Sequence, residues 1–188
     1  MKDFQEAVLT ARYYACRNAL WDRSADVLWE VTRVDGGSIP NLAGPSMGLA
    51  LALAFAKLHI GDGSGRELAS DLERWIAGSH LELVAATAAV DRDGRAGKVG
   101  GVATKLMQLL VDRNCYHIRA LLVADDQHDC LEPVEPELNQ RLRTDKDGAE
   151  YRAYKRDGAS PLVVLPVGDV PSAFRKLFQY QARAILEI

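Results

Sequence analysis

The sequence predicts a single mixed α+β domain, with helices packed on a mixed sheet, and three observations predict it. Helix-like and strand-like segments alternate along the 188 residues. The continuous apolar run from His117 to Ala124 reads as a strand covered on both faces. The segment from Val84 to Leu106 reads as a buried strand, a tight Asp93-Gly94 turn, a short second strand and a Gly100-Gly101 helix start.

In order, the amphipathic stretch Phe4 to Ala19 gives a helix over residues 3–20. Asp26-Val27-Leu28-Trp29-Glu30-Val31-Thr32 opens a strand over 26–34, and a glycine-containing loop follows at 36–44. Gly44-Pro45 then starts a helix over 45–58, filled by Leu49 to Ala56. Arg66 to Ile76 carries a second helix, 64–76. Next come strand 80–90, a hairpin return at 94–98, helix 101–114, strand 117–124, strand 161–167 and helix 170–186. Leu131 to Gly158 holds Pro133, Pro136 and a dense run of charges. It is expected to be a solvated surface excursion, or else a lid over substrate or partner. Repeats and low-complexity tracts are absent.

Composition excludes several classes. A net charge of −3 and a pI near 5.8 argue against general nucleic-acid affinity, which needs a basic face. Cys16, Cys115 and Cys130 lack metal-ligand spacing and read as reduced thiols of a cytoplasmic protein; no metal or other cofactor is expected. Met1-Lys2-Asp3 leads straight into a helix, so no signal peptide is expected. The most apolar stretch, Met47 to Leu58, is shorter than the roughly 20 residues that span a bilayer, so no membrane partner is expected. Gly61-Asp62-Gly63-Ser64-Gly65-Arg66 lacks the lysine of a phosphate loop and reads as a turn, so the chain carries no ATPase motif.

Two residues carry chemistry. Ser46, in Gly44-Pro45-Ser46-Met47-Gly48, sits where a helix begins, among backbone N–H groups without intrahelical partners. Taken alone, a helix cap is the plainer reading of such a serine. A nucleophile with an oxyanion site built beside it is the functional one. Lys105 stands on an apolar helix face with Val102, Leu106 and Leu109. A lysine there usually snorkels to water. Desolvation can instead favour its neutral amine, which alone can accept a proton from serine.

Together, Gly44-Pro45-Ser46-Met47-Gly48 and the gapless stretch from Thr87 to Lys105 resemble the proteolytic domain of the Lon protease family. That family carries a Ser–Lys dyad on a Gly-Pro-Ser-x-Gly motif and a strand–hairpin–Gly-Gly-x-x-x-Lys motif. The resemblance implies Ser46 as nucleophile, Lys105 as general base and Thr87 as the threonine that hydrogen-bonds the lysine. Gly44, Pro45, Met47 and Gly48 would form the oxyanion turn, and Gly100 and Gly101 the helix start near the base. Phe4 to Ala19, Asp26 to Thr32, and Pro161 to Leu177 extend the likeness. It implies a Lon-protease-like fold, related to a ribosomal-protein-like fold, with residues 61–80 and 131–158 as insertions.

The chain departs from the family pattern at Ala43 and Ala89, where acids or amides are frequent, and at Thr32 and Val34, where many members carry histidines. The strand hairpin that precedes the family's first helix is expected to be missing. The implied activity is that of a serine endopeptidase acting on peptides or unfolded proteins. Substrate would arrive unaided or through a separate ATPase or adaptor protein, and the peptidase would be a homo-oligomer. The alternative is a non-catalytic Lon-like scaffold or interaction module. Keeping Ser46, Thr87 and Lys105 together argues against it, because a scaffold needs none of them.

Overall fold

Strands whose neighbours cover both faces must be apolar at successive positions, and the centre of the sheet obeys that rule. In the computed structural model, which describes residues 2–18, 20, 44–61, 70–127, 142–143 and 151–186, the chain runs α1 (Lys2–Arg17), a 3-10 turn (Pro45–Met47), α2 (Gly48–Gly61) and α3 (Ser70–Gly78). It continues through β1 (Val84–Thr87), β2 (Ala89–Val90), β3 (Ala96–Gly97), α4 (Val102–Val111) and β4 (Ala120–Ala124). β5 (Leu142–Arg143), β6 (Arg152–Arg156), β7 (Ala159–Val167) and α5 (Val170–Leu186) complete it.

The main sheet has the order β1-β4-β7-β6-β5. β1, β4 and β7 are parallel, in a register that places Ala86 beside Leu122 and Leu122 beside Leu165. β6 and β5 add to it in antiparallel fashion, so the sheet is mixed. β2 and β3 form a separate two-stranded hairpin.

Alternation along β4 and β7 builds two cores. Ala120, Leu122, Ala124, Val163, Leu165 and Val167 face the layer formed by α1, α2, α3 and α5. Leu121, Val123, Leu162 and Val164 face α4 through Val102, Leu106 and Leu110. A sheet sandwiched in this way explains why 117–124 reads as unbroken apolar sequence. α2 buries Leu49, Ala52, Leu53, Phe55 and Ala56, and its exposed positions Ala54 and Leu58 are apolar too, so it lacks the polar face of an ordinary surface helix.

Local chemistry moved several expected boundaries. Helix 101–114 ends as α4 at Val111; Asp112 then accepts a 2.9 Å hydrogen bond from Asn114 N and caps a short 3-10 turn, Arg113–Cys115. Strand 117–124 consequently starts only at Ala120. Strand 80–90 opens with a 3-10 turn, Leu81–Leu83, and breaks at Ala88 into β1 and β2. The segment 131–158, expected as a solvated excursion or lid, contributes β5 and β6 to the sheet, and Tyr154 and Arg156 are buried. Strand 26–34, loop residues 36–43, the start of helix 64–76, and Cys130 lie outside the described residues. No helix of the described residues is long and apolar enough to cross a membrane.

Candidate active site

The site is assembled at the end of β1. Thr87 is the last residue of that strand, lies beside Val123 of β4 and is 4% exposed. Just past it, β2 turns into the hairpin. Asp91 Oδ1 accepts from Asp93 N and Arg95 N, both at 2.9 Å, and Gly94 takes φ +84°, where a side chain would be strained. The returning strand is tied down by Ala96 N, which donates to Gly168 O at 2.8 Å.

The hairpin leads into α4 through a loop that is held by a side chain. Val99 N donates to Gln127 Oε1 at 2.9 Å, and Gln127 Nε2 donates back to Val99 O. Gln127 is buried, so this amide replaces a strand partner for Val99. Gly101 then adopts φ +70° and accepts from Lys105 N at 3.1 Å, closing the first turn of α4. No sequence signal marked Gln127 as a positioning residue, because Asp125-Asp126-Gln127-His128 reads only as a polar loop.

Turned in this way, Lys105 reaches back across the junction. Its Nζ donates to Thr87 Oγ1 at 2.8 Å. Burial lowers the Lys105 pKa below its ordinary value, because a half-buried ammonium has lost part of its hydration. Among the described residues no carboxylate pairs with it to restore the charged form. A neutral hydroxyl partner orients the amine without fixing a positive charge on it.

Ser46 is brought to the same junction from the other side. Gly44 takes φ +87°, Pro45 supplies the fixed φ that starts a helix, and Ser46 lies in the middle of the 3-10 turn. Gly48 opens α2 pressed against the hairpin: a Cβ there would lie 2.8 Å from Val90 N. Leu49 N donates to Ala88 O at 3.1 Å, which pins the helix start to the residue after Thr87. The turn therefore packs against both β1 and β2.

The half-buried Ser46 hydroxyl has no hydrogen-bond partner among the described residues, so it caps no helix there. No hydrogen bond joins it to Lys105 either. Two N–H groups of the expected oxyanion turn and helix start already have partners. Gly48 N is committed to Pro45 O and Leu49 N to Ala88 O, and Pro45 has no N–H.

Beside Pro45 and Val90 opens a depression of about 300 Å³, walled by Asp3, Glu6, Ala7 and Thr10 of α1. Among the described residues, no group of three His, Cys, Asp or Glu side chains is placed to hold a metal ion. The chain matches no protein-family model and no curated protein.

Proposed function

We propose that the protein is a Lon-like serine endopeptidase that cleaves peptides or unfolded polypeptides with a Ser46–Lys105 dyad. The observation that carries this reading is the Lys105–Thr87 hydrogen bond: it holds an amine of lowered basicity at the strand end against which the Ser46 turn is packed. A general base must be available as the neutral amine and correctly aimed, and desolvation and Thr87 supply these two properties.

In the reaction, neutral Lys105 Nζ takes the Ser46 proton while Oγ attacks the scissile carbonyl carbon. The carbonyl π electrons move to oxygen, and the backbone N–H groups at the turn bind that oxyanion. Collapse expels the amine product, which takes its proton from the Lys105 ammonium and leaves an ester on Ser46. Water then attacks the ester, giving up a proton through Lys105, and the acid product leaves Ser46 free. Catalytic hydrogen bonds often tighten only once substrate is bound, which accommodates the absence of a Ser46–Lys105 bond. The same reading includes a cytoplasmic homo-oligomer that takes its substrate unaided or from a separate ATPase or adaptor, without nucleic acid or membrane.

Casein and a fluorogenic peptide test the proposal. The wild-type protein should cleave them, whereas Ser46→Ala and Lys105→Arg should not, since a guanidinium stays protonated. Folded variants that retain wild-type turnover would refute the dyad. A lack of cleavage by all three, with no stable acyl-enzyme, would favour the scaffold alternative.

A further inference from the structure

A buried arginine normally has its charge compensated, and Arg156 does not. It ends β6, is 2% exposed and lies under the turn that follows α4. Its Nε donates to Ser160 O at 2.7 Å, and Nη1 makes a long 3.5 Å contact with Cys115 O. The guanidinium carbon stands 5.2 Å from the centroid of the Tyr116 ring. Nη2 is buried without a hydrogen-bond partner. Among the described residues no carboxylate pairs with this guanidinium or with that of Arg119. Isolated buried charge is costly, so such an arrangement calls for a counter-charge from elsewhere.

The space for one is adjacent. An open depression of about 680 Å³ is lined by Tyr116, Arg119, Gly158, Ala159 and Ser160. Two of these residues, Tyr116 and Ser160, are the ones that hold the Arg156 guanidinium. Gly158, at φ +73°, leaves the rim open, with nothing within 4 Å of where a Cβ would stand. Arg119 and Arg156 are close enough to repel, and burial together with Arg119 lowers the Arg156 pKa. Arg119 immediately precedes β4, Ala159 and Ser160 begin β7, and Thr87 ends β1. Because these strands are parallel, the depression lies at the opposite end of the sheet from the candidate active site.

We propose that this depression binds a small oxyanion, a phosphate monoester or a carboxylate, with the half-buried Arg119 as the cation on its lining and Arg156 as a buried charge behind Tyr116 and Ser160. A guanidinium offers planar paired donors that match either oxyanion, and a second positive charge beneath it adds attraction without competing for solvent. The Ser160 hydroxyl at the rim can donate as well. The site is independent of the proposed peptidase chemistry and takes a different ligand.

Isothermal titration and thermal unfolding with inorganic phosphate and with succinate, at constant ionic strength set by chloride, test the site. Saturable binding of either ligand to the full chain, with a matching rise in Tm, is expected. Phosphate alone binding would identify the phosphate-monoester class, and succinate alone the carboxylate class. Arg119→Gln, on the lining of the depression, should weaken binding roughly 10-fold or more, and Arg119→Lys should recover part of the loss. Arg156→Gln should act in the same direction where it folds, but Arg119→Gln alone decides the outcome. Failure of both ligands to bind, or unchanged binding by folded Arg119→Gln, would overturn the proposal.

Discussion

Lys105 Nζ and Thr87 Oγ1 lie 2.8 Å apart, so the first turn of α4 is tied to the last residue of β1 by a side-chain bond at the edge of the apolar core. The bond joins two elements separated by a hairpin, and it fixes the orientation of an amine that burial has made less basic. The catalytic role proposed for this amine sets the first two expectations below.

Thr87→Val keeps the shape of the side chain and removes the acceptor. The amine then loses its orienting partner while remaining desolvated. A hydrogen bond of about 0.5–1.5 kcal/mol corresponds to a drop of about 2- to 13-fold in kcat/KM. A steady-state assay on a fluorogenic peptide measures it, and near-complete loss would instead make Thr87 a reacting group.

In the proposed reaction Lys105 acts as the neutral amine, so activity should rise with pH and level off on the alkaline side. Since its pKa is lowered in the folded protein, the unfolded chain holds more protons between that lowered value and the ordinary 10.5. Stability therefore also rises with pH through this window, and that contribution is lost as pH falls through the lowered value. Urea unfolding of wild type and Lys105→Met across the window should show this contribution as the difference between their two slopes, because Tyr14 and Cys115, whose pKa values burial raises, titrate in both proteins.

Gly48→Ala tests how the proposed nucleophile, Ser46, is placed. Its Cβ would meet Val90 N at 2.8 Å, a backbone atom that cannot swing aside. The cost should be about 1–3 kcal/mol of stability, with a larger proportional loss of turnover, because the Ser46 turn must shift. Equilibrium denaturation together with kinetics separates the two effects.

Gln127→Leu removes the clamp on Val99 and leaves a buried N–H and C=O without partners. A loss of about 1–3 kcal/mol is expected. Faster amide exchange should be confined to Val99 and the turn ahead of α4, a pattern that general loosening would not give.

What the sequence makes legible is local. The turn at Asp93-Gly94, the glycine before α4 and the unbroken apolar run of β4 are each encoded within a few neighbouring residues, and each has its counterpart in the structure, with β4 starting at Ala120. The Ser46 turn was legible as a helix start, but the reason for Gly48 was not, since it lies in the contact with Val90, 42 residues away by number (90 − 48). Gln127 was invisible for the same reason: its partner, Val99, belongs to a different part of the chain. β6 was hidden because Arg152, Lys155 and Arg156 give it the charge of a loop. In the strand only Lys155 of these is exposed: Tyr154 and Arg156 are buried and Arg152 is half-buried, which no local charge pattern announces.

The most direct test of the dyad is covalent labelling read by intact mass and peptide mapping. A peptidyl boronate or fluorophosphonate should add to the wild-type protein at Ser46, faster as pH rises, since attack needs the Lys105 amine in its neutral form. Ser46→Ala should take no label, and Lys105→Arg should label far more slowly while remaining folded. Labelling of Ser46→Ala at the wild-type rate, or a Lys105→Arg protein labelled as fast as wild type, would contradict the account.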